Sequence, residues 1–247
     1  MSNEYDLSVV SNRPLTPYMR RVTLHGESLS TFPEGREGDY VKGRFGGPFR
    51  RVLRSFTVRT FDAASQQVVL DFVDHGDNGP ASAWARSARP GAPLTLRGPG
   101  QVKRLAQNAD WVLIAGDLSA LPAIAANLEL LSDRIPGHAL IEVPSLDAAL
   151  ELTAPPGIEV EWIVNGDASK PNQRLVERLR QVPWQSGRAS VWFAGEFDGM
   201  RAARHYLRDE RGIDRREMYL SCYWKLGDTD EGMKRAKRAD AQATQTA

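Results

Sequence analysis

The feature that most constrains the fold is a change of hydrophobic rhythm near residue 100. From about residue 4 to residue 98, the short runs YDLSVVS, MRRVTLHG, DYVKGRF, VLRSFTV, QVVLDFV and PLTLRG recur between Gly, Pro and Asp punctuation. Runs of that length with no long helix between them predict a six-stranded antiparallel β-barrel. One stretch breaks the pattern. In GPASAWARSARPG, residues 79–91, Ala81, Trp84, Ala85 and Ala88 fall at helical spacing and Pro90-Gly91 stops them, so a short helix precedes the last strand. After Gln101 the runs WVLIAG, HALIEVP, VEWIVN, SVWFAG and MYLSCYW are apolar throughout and alternate with helical segments such as LPAIAANLELL. Strands that are apolar on both faces belong to a parallel sheet covered by helices on both sides. The predicted class is β + α/β: an antiparallel barrel over 1–104, a parallel-sheet α/β domain over 105–232, and a charged frayed helix or tail over 233–247.

Composition narrows the chemistry. The 247 residues are 41% hydrophobic, enough for two cores, and 32 basic against 31 acidic residues leave a net charge of +1. That balance argues against a nucleic-acid surface and for a small charged partner. One cysteine, Cys222, excludes an internal disulfide and a cysteine-built metal site, and the four histidines have no metal-ligand spacing. No export signal or membrane span is apparent, so a cytoplasmic protein, most simply a monomer, is expected.

Several stretches could carry chemistry. In RSFTVR, strand alternation puts Arg54 and Phe56 on one face and Ser55 and Thr57 on the other. A guanidinium beside an aromatic face suits a phosphate and a flat heterocycle, although an ordinary barrel strand would read the same. HGDNGPAS leads into the short helix with Gly76, Gly79 and Pro80, and its exposed N–H groups suit a pyrophosphate or a plain turn. AGDLSALPAI follows the first parallel strand, where doubly wound sheets bind nucleotides, but lacks the glycine spacing of the dinucleotide fingerprint; Ser119 and Asp117 could equally cap a helix. AGEFDGMRAA repeats that geometry. SCYWKLG closes the last strand with an aromatic pair and a lysine, while Cys222 reads as a buried small hydrophobe.

Taken together, RSFTVR, DFVDHGDNGPASAWARSARPGAPLTLRGP, WVLIAGDLSALPAI, VWFAGE and YLRDERGIDRREMYLSCYWKLG, in that order from about residue 20 to residue 227, resemble the siderophore-interacting protein family. These are flavin-dependent ferric-siderophore reductases of the ferredoxin-reductase-like superfamily. The resemblance implies an FAD-binding barrel followed by an NAD(P)H-binding-like α/β domain. It implies that Arg54 contacts the flavin phosphate, Phe56 packs on the isoalloxazine, and Thr57 lies near the reactive N5 as the catalytic residue, with Ser55 and Asp71 in the same cofactor-binding set. Phe56 departs from the tyrosine usual there. His75, Gly79, Pro80, Ala81 and Ser82 are implied to form the flavin pyrophosphate loop, with Trp84 beside it. Asp117, Ser119, Ala120 and Glu196 fall where a nicotinamide donor would approach. Lys42, Arg44, Trp224 and Lys225 match positions suited to an anionic ferric siderophore.

The implied reaction is reduction of chelated Fe(III), which weakens its hold by hard oxygen donors and so releases iron. A flavin takes an electron pair from NAD(P)H and returns electrons singly, and a ferredoxin is an alternative donor. The chelate is expected in a cleft between the domains, steered by the basic residues. A general NAD(P)H:flavin reductase, a non-catalytic siderophore-binding protein and a nucleic-acid module are the rival readings.

Overall fold

The computed structural model describes residues 3–46, 51–76 and 79–245. The chain divides into two compact units: residues 1–103 with 125–130 and 147–153, and residues 104–124 with 131–146 and 154–247.

The first unit contains β1 (Glu4–Thr16), β2 (Met19–His25), β3 (Tyr40–Phe45), β4 (Val52–Thr57), β5 (Thr60–Asp62), β6 (Gln67–Val73), α1 (Pro80–Ser87) and β7 (Pro93–Gly100). They form one antiparallel sheet in the order β4-β3-β7-β1-β2-β6-β5. Its two edges, β4 and β5, are consecutive in the chain with only Val58 and Arg59 between them, so the sheet must close on itself. The sheet has seven strands where six were expected. The additional β5, TFD, is too short to show alternation, and its pairing with β6 follows from a turn in which Asp62 accepts from Ala64 N (2.9 Å) and Ser65 Oγ (2.6 Å). Tyr5, Val22, Leu24, Val41, Phe45, Leu70, Phe72 and Leu96 fill the interior, and α1 packs its Ala85 and Trp84 against them. Asn12 Nδ2 donates to the carbonyls of Ala85 (2.7 Å) and Ala88 (2.9 Å), satisfying acceptors left open at the end of α1.

The second unit is built on a parallel sheet of β8 (Trp111–Asp117), β9 (Gly137–Val143), β10 (Ile158–Val164), β11 (Ala189–Glu196) and β12 (Met218–Trp224), in the order β10-β9-β8-β11-β12. Helices α2 (Leu121–Leu130), α3 (Gln173–Gln181) and α4 (Phe197–Arg204) follow β8, β10 and β11. Every residue of β8, β9 and β11 is buried, as a doubly covered sheet requires. Chain reversal of the strand order at β8 and β11 makes their carboxyl ends the place where such sheets carry sites.

The stretch expected as a frayed helix or tail forms the helix α5 (Asp230–Gln245), docked on the α/β unit. Met233 and Ala236 pack on the core of that unit, and Lys237 Nζ donates to Cys222 O at 3.0 Å. Asp240 accepts from both terminal nitrogens of Arg204 at 2.7 Å and from Arg201 Nε at 3.2 Å. The low-complexity composition hid this because a few scattered residues, Met233, Ala236, Lys237 and Asp240, anchor the helix. Arg204 holds the Asp240 carboxyl below its ordinary value. A folded value below the unfolded one means that the pair stabilises above the ordinary carboxylate range and stops doing so as pH falls through the folded value. Asp240→Asn is therefore expected to lower stability in urea titrations by about 1 kcal/mol at neutral pH. The difference should close in acid, and a gap that persists there would show that the pair is not its source.

Candidate functional site

In the barrel, β3 and β4 pair with Val41 opposite Phe56, Gly43 opposite Arg54, and Lys42 opposite Ser55. Directly opposed residues share a face, so Arg54 and Phe56 point to the inner side while Ser55, Thr57, Lys42 and Arg44 lie on the outer one. Gly43 makes room there: a Cβ would stand 2.8 Å from the Phe45 ring. Phe56 sits 4.3 Å, centroid to centroid, from Phe72 and 5.7 Å from Phe45, and Trp84 of α1 lies 5.6 Å from both of those rings. Thus Phe56 and Trp84 belong to one aromatic cluster spanning β3, β4, β6 and α1, with half-buried Arg54 beside it, its Nη1 donating to Leu53 O at 3.0 Å.

The loop into α1 has a floor of its own. Ser82 is 2% exposed; its Oγ donates to Gly76 O at 2.7 Å and accepts from His75 N at 3.3 Å, so this hydroxyl ties the loop together. Gly76 (φ 77°) and Gly79 (φ 107°) take left-handed backbone, with no atom within 4 Å of a Cβ at Gly76. Pro80 opens α1, and Gly79 at its cap offers no side-chain acceptor to the first-turn N–H groups of Ala81 and its neighbours. Asp77 and Asn78 of this loop lie outside the described residues. Asp71 faces away from Phe72 along β6, and both its oxygens accept from Arg21 at 2.7 and 2.8 Å, which makes it a buried ion-pair partner. An arginine beside an aromatic wall, together with a helix start that Gly79 does not cap and positive φ at Gly76 and Gly79, fits a group with a planar ring and a pyrophosphate, as FAD has.

On the outer face, Lys42 Nζ stands 5.9 Å over the Tyr40 ring, next to Thr57, which is opposite Tyr40. Arg44 and Arg97 both pair with Glu4, at 2.5 and 3.0 Å.

At the carboxyl ends of the parallel strands, the structure gathers Asp117, Ser119, Glu196 and Trp224 around two residues that sequence reasoning missed, Glu142 and Asn172. Fully buried Asn172 takes left-handed backbone (φ 61°) and donates from Nδ2 to Asp117 Oδ2 and Glu142 Oε1, both at 3.2 Å, while its Oδ1 accepts from Glu196 N at 2.8 Å. Trp224 Nε1 donates to Asp117 Oδ2 at 2.9 Å, and Ser119 Oγ to Asp117 Oδ1 at 2.5 Å. Glu196 accepts from Asp198 N, Gly199 N and Leu226 N. A carboxylate one residue from the end of the apolar strand GHALIEV and an asparagine just before a helix were the available signals. Lys225 Nζ lies 5.5 Å over the Phe197 ring. Cys222 is buried, which pushes its thiol up to about 11 and leaves it inert at neutral pH.

Both parts of the chain match known proteins. Residues 109–227 match the siderophore-interacting protein family, and residues 43–103 match the siderophore-interacting FAD-binding domain. Ferric vibriobactin reductase ViuB of Vibrio cholerae is 34% identical over 94% of this chain and 95% of its own. The chain belongs to the siderophore-interacting protein family. Solved structures superpose closely: the siderophore-interacting protein SipS from Aeromonas hydrophila at TM-score 0.87, with 29% identity over 98% of this chain and 99% of that one, and a siderophore utilization protein from T. fusca at 0.84, with 33% identity over 93% and 95%. The fold is the ferredoxin-reductase-like one expected. Among the described residues no helix is long and apolar enough to cross a membrane.

Proposed function

We propose that this family member is an FAD-dependent ferric-siderophore reductase that releases iron as Fe(II) in the cytoplasm, with electrons from NAD(P)H or a ferredoxin. The observation that carries the reading is the shared inner face of Arg54 and Phe56, set in the cluster with Phe72 and Trp84. When bound, FAD would supply the change from paired to single electrons that iron requires. The chain's own residues would do the rest. Arg54 and the first turn of α1 would bind the phosphates, Phe56 and Trp84 would wall the ring, and Thr57 would present its hydroxyl toward the reacting edge. Thr57 and Lys42 share the outer face, where the Lys42 cation would meet an anionic chelate. Lys225 supplies another in the α/β unit.

The test is the visible spectrum of the FAD-loaded protein through anaerobic addition of NADH, NADPH or a reduced ferredoxin, then of a ferric siderophore with a ferrous trap. Bleaching by a donor followed by recovery as trapped Fe(II) accumulates is the expected result. A protein that neither retains nor rebinds FAD would overturn the reading. In the same assay Lys42→Ala and Lys225→Ala are each expected to raise KM for the chelate up to about fivefold, the worth of one exposed charge pair, without changing flavin content. Unchanged KM in both would favour a general flavin reductase.

A further inference from the structure

Several N–H groups at the strand ends of the α/β unit already donate to groups of the chain itself. Where a doubly wound sheet binds a dinucleotide, the pyrophosphate sits on backbone N–H groups at the passage from strand to helix. After β8, Ser119 N donates to Asp117 Oδ1 and Ala120 N to Asp117 O, both at 2.9 Å, and Leu121 N donates to Leu118 O at 3.3 Å. The next residue, Pro122, has no N–H to offer. At the start of α3, Asn172 N and Leu175 N donate to Glu142 at 2.6 and 3.1 Å. At the start of α4, Asp198 N and Gly199 N donate to Glu196 Oε2 at 2.6 and 3.2 Å. Each of the three passages is thus closed by a carboxylate of the chain itself, and Asp117, Glu142 and Glu196 are all at least nine-tenths buried.

The room that glycine would give a phosphate is also used. A Cβ on Gly195 would stand 2.3 Å from Asn172 Oδ1, and one on Gly199 would stand 2.4 Å from Asn172 Cβ. The close backbone approach that serves a pyrophosphate in dinucleotide folds here admits an asparagine side chain. An incoming diphosphate would have to displace a carboxylate or lie against one, and like charges brought together cost several kcal/mol.

We infer that Asp117, Glu142, Glu196 and Asn172 act as specificity determinants that keep a donor's diphosphate off these strand ends. A nicotinamide donor is then taken through its reduced ring alone, and its adenylate half adds nothing to kcat/KM. The kinetic consequence rests on the nicotinamide donor of the proposed function; the exclusion of the diphosphate does not.

Two measurements on the FAD-loaded full chain test it. The first compares flavin reduction by NADH and by reduced nicotinamide mononucleotide, which lacks the adenylate half. Values of kcat/KM within about threefold of each other are expected, and a preference for NADH above about tenfold, equivalent to about 1.4 kcal/mol drawn from the adenylate half, would overturn the inference. The second titrates ADP-ribose, which carries the diphosphate without nicotinamide, and follows the amide resonances of Ser119, Asn172, Leu175, Asp198 and Gly199. These should stay in place at millimolar ligand, whereas saturable shifts centred on them would sink the idea. If neither nicotinamide reduces the flavin, the donor reading fails by itself and the titration still decides.

Discussion

Arg54→Ala is expected to purify with little flavin and to rebind FAD about ten- to hundredfold more weakly than the parent, the loss of one charge-assisted contact to phosphate. The expectation follows from where Arg54 stands. It is half-buried on the inner face of β4 beside an aromatic wall, and it is carried opposite Gly43, which has no side chain of its own. Arg54→Lys should recover only part of the affinity, because an ammonium keeps the charge and loses the planar fork. Thermal melting of the flavin-free proteins provides the control, since a weakened barrel would lower affinity indirectly. Flavin fluorescence titrations giving the same Kd for Arg54→Ala and the parent would remove this arginine from the cofactor site.

Asn172→Ala is expected to produce the largest loss of stability. Removing the amide leaves Glu196 N without its acceptor, deprives buried Glu142 and Asp117 of a donor each, and forces alanine into left-handed backbone. A breach of a buried polar network of this kind costs about 3–5 kcal/mol, and the strained φ adds about 1–2 kcal/mol. For a chain of this length that is a fall in Tm of more than about 10 °C. Asn172→Gly separates the two contributions, because glycine accepts the backbone but restores none of the hydrogen bonds. It should recover only the smaller share. Full recovery in Asn172→Gly would place the effect in the backbone and leave the network with little energetic role.

Several parts of both sites were legible in the sequence because they depend on local period. Alternation along RSFTVR placed Arg54 and Phe56 together, and fully apolar runs after Gln101 announced a doubly covered parallel sheet. The glycines before Pro80 marked a turn into the short helix, and Gly76 and Gly79 take positive φ there. Other features are set by pairing or packing across the chain. β5 exists only because β6 is there to receive it. That Lys42 shares a face with Thr57 depends on the register of β3 against β4, and Asp71 is claimed by an arginine 50 residues away. The C-terminal helix owes its place to Arg204 and Arg201, which its own composition could not reveal.

Hydrophobic period, written residue by residue and translated directly by backbone geometry, is enough to set the two architectures, their order and the strand that carries the arginine and the aromatic. The polar hub of the α/β unit arises in folding alone. Glu142, Asn172 and Glu196 lie on three separate elements, and their meaning arises from distances of about a hydrogen bond's length, which no local pattern encodes.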